Sequence, residues 1–152
     1  MQNPKLCKRF IHKLTKLKVR RILYPVEEKS IAISATSKSI RLDLYVVTDD
    51  GLIFDIEMQV TSGLHGQLAK RMRYYQAMID LAALDKGDDY LTLRPAFVIF
   101  ICTFDPFGDG LKMYTFRNRC IERDGLELDD GTTKIFLNAK GTEGDIDRDI
   151  ER

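Results

Sequence analysis

Residues 39–60, SIRLDLYVVTDDGLIFDIEMQV, contain an Asp, a Glu and a Gln whose spacing could do chemistry. Read as two strands joined by a tight turn, the stretch sets Asp43, Glu57 and Gln59 on one face, because side chains alternate along a strand. A single metal ion on that face could touch both acids. Oxygen ligands of this kind suit Mg2+ or Mn2+, which need only one or two carboxylates and keep several waters. Carboxylates directly opposite each other have Cβ atoms about 5 Å apart and repel. A cation between them, protonation of one, or neutralisation by Arg41 would relieve that. The plainer alternative is a solvated hairpin face carrying ordinary surface acids. Strand interiors are depleted in Asp, which tilts the balance toward function.

The elements that must position these residues follow from the same alternation. Ile40, Leu42, Leu44 and Val46 share one face of the first strand, and Arg41, Asp43, Tyr45 and Val47 the other. In the second strand Leu52, Phe54, Ile56, Met58 and Val60 share a face, opposite Ile53, Asp55, Glu57 and Gln59. Asp49-Asp50-Gly51 forms the turn, with Gly at the left-handed position of a three-residue loop. Pairing Thr48 with Leu52 sets Val46 against Phe54, Leu44 against Ile56, Asp43 against Glu57 and Arg41 against Gln59. A slip of one residue would destroy the apolar match.

The ordered blocks KSIRLDLYV, IEMQ, KRMRYYQAMID, KGDDY, FVIFICTFDPFG and IFLNAKG resemble the PD-(D/E)XK nuclease family transposases, also described as recombination-promoting nucleases. The resemblance runs over residues 27–141. The superfamily pattern of Asp, a gap, then Glu-x-Lys falls on Asp43, Glu57 and Gln59. The Pro before the first acid is absent, and Gln59 replaces the Lys, as it does in other members of this branch. The resemblance implies Mg2+-dependent endonucleolytic hydrolysis of phosphodiester bonds in DNA, with Mn2+ as a substitute ion. It makes Asp43, Glu57 and the backbone carbonyl of Met58 the metal ligands, with Glu28 as a further candidate. Gln59 would position water or phosphate, because an amide does not titrate. The alternative is a nucleic-acid- or partner-binding domain that keeps the nuclease fold with little or no catalysis.

A chain of 152 residues with 44% hydrophobic residues fits one domain with a real core. Its net charge of +1 excludes a uniformly basic nucleic-acid coat. The charge is uneven, however. Residues 1–29 hold nine Lys or Arg against two Glu, net +7, whereas residues 122–152 hold ten acids against five bases, net −5. Such asymmetry is found in chains that bind polyanions, although a solvated helix face would look the same. Cys7, Cys102 and Cys120 have no CxxC spacing, which argues against a zinc site or a disulfide framework. Their odd number fits a reducing cytoplasm. The apolar run 96–102 is too short to span a membrane, and the basic N-terminus lacks the apolar segment of a signal peptide.

Along the chain, residues 5–23 have near-helical apolar spacing that ends before Pro25. Residues 31–33 read as a first strand, with Glu28 just before it. Residues 64–84 form the clearest helix, with Leu64, Leu68, Met72, Tyr75, Ile79 and Ala82 at steps of three and four. Arg71 leans toward that apolar stripe and needs an anionic partner. The active-site carboxylates or a substrate phosphate would serve, and so would a structural salt bridge with Asp55. Gln76 lies at the opposite margin of the stripe and joins Arg71 as a candidate for binding substrate, while Arg73 and Tyr74 point outward, where one could meet DNA by charge and the other by stacking. Residues 96–104 read as a strand buried on both faces, residues 105–110 as a turn cluster, and residues 112–116 and 134–137 as later strands. His12 and His65 stand alone, and neither has the partners of a metal site.

The fold predicted is α/β, with a restriction-endonuclease-like core in which a mixed central sheet of order αβββαβ is flanked by helices. Residues 1–141 form the nuclease-like domain with its basic N-terminal helix, and residues 142–152 an acidic, frayed tail. DNA is the expected partner, no membrane contact is expected, and a homodimer would be needed for paired cuts.

Overall fold

The computed structural model describes residues 4–32, 38–62, 66–144 and 146, with the main chain alone for 24–28. In chain order the elements are α1 (Pro4–Thr15), β1 (Ile22–Ile31), β2 (Ile40–Thr48), β3 (Ile53–Gln59), α2 (Gln67–Ala83), β4 (Ala96–Cys102), β5 (Met113–Phe116) and β6 (Thr132–Asn138). A short 3-10 turn at Tyr90–Thr92 precedes β4. The strands form one mixed sheet in the order β1-β2-β3-β4-β6-β5. β1, β2 and β3 are successively antiparallel, whereas β4 runs parallel to both β3 and β6. The predicted αβββαβ core is therefore present, with an antiparallel edge added by β5.

The hairpin follows the apolar match. Leu44 pairs with Ile56 and Val46 with Phe54. The Thr48 amide donates to the Leu52 carbonyl at 3.0 Å, and Gly51 turns the chain at φ 87°. A residue with a Cβ would be strained at that angle.

Two apolar clusters lie on the two faces of the sheet. One joins Cys7, Ile11 and Leu14 of α1 to Leu44, Val46, Phe54, Ile56, Phe97 and Ile99. The other joins Leu68, Met72, Met78 and Ile79 of α2 to Tyr45, Ile53, Val98 and Phe100. β4 is buried on both sides, as a continuous apolar strand must be. Phe97 stacks on Phe54 at 4.8 Å on the α1 side, and Phe100 meets Phe136 edge-on at 5.7 Å on the α2 side.

Three expectations need correction. The first helix stops at Thr15, well short of residue 23. Lys16 adopts the left-handed conformation (φ 56°) and its amide donates to the His12 carbonyl, which ends the helix. The first strand then begins at Ile22, nine residues earlier than predicted, and runs through Pro25. That is tolerated because β1 is an edge strand, where a missing N–H leaves no ladder bond unmade. Last, Ile40 and Leu42 pack in the α2-side cluster, whereas Leu44 and Val46 pack in the α1-side one. The single apolar face expected for β2 is therefore broken at Asp43.

At the start of the expected tail the main chain is bonded to the loop before β5. Thr142 and Glu143 both donate to the Gly110 carbonyl, and Glu143 accepts from Lys112. Leu64 and His65 lie outside the described residues, so α2 is described only from Gln67. The 105–110 cluster is a turn built on one carboxylate. Asp105 accepts from the amides of Phe107, Gly108 and Gly110 and from the Tyr114 hydroxyl. Desolvation works against its charge, but these donors outweigh it and hold the carboxyl down to about 2.

Candidate active site

The ladder between β2 and β3 is continuous from Val47–Ile53 to Leu44–Ile56. Beyond that pair, side chains take over the bonding. The Asp43 amide donates to Glu57 Oε1 at 2.7 Å, and the Met58 amide donates to Asp43 Oδ2 at 3.2 Å. Each carboxylate is thereby fixed by one oxygen to the other's strand. A residue's N–H and C=O point to the same edge of a strand, so the Met58 carbonyl points to the β2 side as well. Asp43 is exposed, whereas Glu57 and Gln59 are buried.

α2 supplies the cation. Arg71 Nη1 donates to Gln59 Oε1 at 2.7 Å, and Nη2 donates to the Tyr75 hydroxyl at 3.3 Å. The guanidinium also sits 5.7 Å from the centroid of the Phe100 ring, within reach of a cation–π contact. Arg71 thus meets Gln59 and not Asp55, the salt-bridge partner weighed from the sequence. Burial raises the Glu57 carboxyl and the charge of Asp43 adds to the rise. The Asp43 amide and the Arg71 charge act in the opposite sense.

The other sequence candidates are spread more widely. Tyr74 donates its hydroxyl to the Lys38 carbonyl at 2.7 Å, across the gap between α2 and β2. Arg73 is exposed on α2. Gln76 is buried and donates to Asp80 Oδ1 at 3.0 Å, so it lies away from the carboxylate pair. Glu28 stands between Glu27 and Lys29, which pair with Leu44 and Leu42. Its main chain is therefore opposite Asp43, while its side chain lies outside the described part. Arg41 does not meet Gln59, because the ladder opens before reaching them.

A family model described as PD-(D/E)XK nuclease family transposase matches residues 2–143. The chain belongs to the PD-(D/E)XK nuclease family transposases. Its mixed sheet with a helix packed on each face agrees with the restriction-endonuclease-like core of that family. No curated protein matches the sequence. Among the described residues, no helix is long and apolar enough to cross a membrane.

Asp55, weighed from the sequence only as a salt-bridge partner of Arg71, lies beside the pair. Asp55 is fully buried on β3, and among the described residues no donor reaches either of its carboxylate oxygens. Burial pushes its carboxyl up to about 9, helped by the charges of Glu57 and Asp43. A protonated Asp55 can donate to Glu57, which is the arrangement its surroundings favour. Its shared face with Glu57 was legible from alternation. Its burial was not, because that depends on α2 covering the centre of the sheet.

The donor set fits a divalent cation of the hard, oxygen-seeking kind. Among the described residues no three His, Cys, Asp or Glu side chains are grouped to cage a metal. Two carboxylates aided by a main-chain carbonyl are the ligation that Mg2+ accepts, with water completing the shell.

Proposed function

We propose that this chain is a Mg2+-dependent DNA endonuclease, with Mn2+ as a substitute ion. The observation that carries this reading is the mutual anchoring of Asp43 and Glu57 where the β2–β3 ladder opens. In a plain surface hairpin the ladder would simply continue or fray. Here two acids of like charge are held together by each other's main chain, which is costly unless something cationic repays it.

Asp43, Glu57 and the Met58 carbonyl would hold the ion. When bound, such an ion lowers the pKa of a coordinated water and neutralises charge on a scissile phosphate. Gln59 orients water or phosphate through its amide, with its oxygen fixed by Arg71. Arg71 brings, from α2, the positive charge that a Lys at position 59 would have supplied from β3. Tyr74 and Arg73 belong to the DNA-contacting surface, whereas Gln76 supports α2 through Asp80. A second reading, a DNA- or partner-binding domain with little catalysis, draws on Gln59 itself, since its amide cannot carry a proton or a charge.

Plasmid nicking by purified protein with Mg2+ tests the proposal. The parent nicks the plasmid, and Asp43→Ala and Glu57→Ala lower the rate by at least about a hundredfold, the scale of losing a charge-stabilising group. Equal nicking by parent and variants would assign the activity to a contaminant. DNA binding without nicking by the parent would favour the second reading.

A further inference from the structure

α1 and the loop after it carry charge that the carboxylate site does not use. Residues 4–23 contain eight Lys or Arg and no Asp or Glu. Four of those cations are exposed and free of ion pairs among the described residues: Arg9 and Lys13 on α1, Lys18 and Arg20 on the loop. Arg9 and Lys13 lie about one turn apart, on the side of α1 opposite the buried Cys7, Ile11 and Leu14. The Lys8 ammonium donates to the Arg20 carbonyl, which draws the loop alongside the helix. The other cations are engaged. Lys5 and Lys16 make contacts of their own, Lys8 holds the loop, and Arg21 stands beside Asp49, whose carboxylate accepts its amide at 3.2 Å.

Like charges four residues apart on a helix repel. Arg9 and Lys13 stand at that spacing with no acid near them in the chain, so the arrangement costs stability unless a polyanion lies against it. The apolar side of α1 packs on the sheet, and Leu6 alone among its large apolar residues is exposed. No apolar row is left for insertion into a membrane surface, whereas a run of phosphates needs none.

This surface lies away from the carboxylates. Phe54 and Ile56 face α1, so the alternating Asp55, Glu57 and Gln59 face α2 on the other side of the sheet. The loop also meets the far end of the hairpin, where the Asp49 amide donates to the Arg21 carbonyl at 3.1 Å. Asp43 stands six residues before Asp49, which along a strand is about 20 Å at about 3.3 Å per residue. Duplex DNA has a persistence length of about 150 bp and does not turn around the edge of so small a sheet. A duplex lying on α1 is therefore a different segment from the DNA at the carboxylates.

We propose that Arg9, Lys13, Lys18 and Arg20 grip the phosphate backbone of a duplex segment held apart from the segment being cut. The cut segment rests on the nuclease reading, but the central test needs no cleavage. Duplex binding is measured in EDTA over about 50–200 mM salt. Two double variants are compared with the parent, Arg9→Gln with Lys13→Gln on the helix and Lys18→Gln with Arg20→Gln on the loop. Each is expected to shallow the slope of log affinity against log salt by about two and to weaken binding at least about tenfold. One pair stays informative if the other fails a melting control. In plasmid nicking the variants raise KM and keep the parental kcat.

An unchanged salt slope in either folded variant would overturn the proposal. So would retained duplex affinity with lost binding to phosphatidylserine vesicles, which would make α1 a membrane surface. A lower kcat at unchanged KM would remove the separation from the carboxylate site. Nicking by the parent with unchanged slopes in the variants strikes out the α1 surface and leaves the nuclease reading standing. Shallower slopes without nicking by the parent do the reverse.

Discussion

At the scale of single residues, Asp55 is a costly group beside the site. A carboxyl buried without donors favours its neutral form. In the folded chain it keeps its proton up to about pH 9, whereas an unfolded Asp releases it near 3.9. Between those values the native state binds more protons than the unfolded state, so this group makes stability fall as pH rises. Asp55→Asn removes that dependence. In metal-free buffer at pH 8 the variant is expected to be more stable than the parent by at least about 1 kcal/mol, or about 2–4 °C in melting temperature. The gap should close as the pH approaches 4. Thermal melts across that range check it, and a parallel offset at every pH would show that Asp55 is ionised in the fold.

At the scale of elements, the hairpin carries the site, and the return of the chain after β6 constrains the fold. Leu44 against Ile56 and Val46 against Phe54 lock the register, and that register decides where Asp43 stands relative to Glu57. A second constraint lies where the chain after β6 crosses the segment before β5. A Cβ placed on Gly141 would come within 2.5 Å of the Leu111 carbonyl oxygen and the Lys112 Cα, both main-chain atoms. Neither can swing aside as a side-chain tip could. Gly141→Ala should therefore destabilise the fold by about 1–3 kcal/mol, the usual cost of overpacking. Chemical denaturation measures it, and an unchanged midpoint would mean that the crossing relaxes freely. Phe54→Ala, which removes the partner of Phe97 from the buried α1-side cluster, belongs to the costlier class of about 3–5 kcal/mol.

For the whole molecule, the two apolar clusters hold the sheet from both faces, and the carboxylate pair lies at its opened ladder. The fold should therefore stand without a metal, and the metal should add to it. Protein treated with a chelator is expected to melt cooperatively. Adding Mg2+ or Mn2+ at about a hundred times the dissociation constant should stabilise it by about 2.7 kcal/mol through binding to the native state alone. Asp43→Ala should lose that gain. Calorimetric titration of Mn2+ gives the stoichiometry, and equal thermal gains in parent and variant would move the ion away from Asp43 and Glu57.

By itself, the sequence determined the hairpin and its register from Val47–Ile53 to Leu44–Ile56. Side-chain alternation and an apolar match that tolerates no slip are local properties. It also determined the buried fourth strand, since an uninterrupted apolar run has no solvent face to offer. The tertiary structure decided what depends on neighbours distant in the chain. The edge position of β1 lets a strand pass through Pro25. The opening of the ladder turns the two acids into each other's main-chain acceptors. The packing of α2 on the sheet brings Arg71 to Gln59 and buries Asp55 without a donor. None of those outcomes has a periodicity to read, because each is set by which surfaces exclude water once the elements meet.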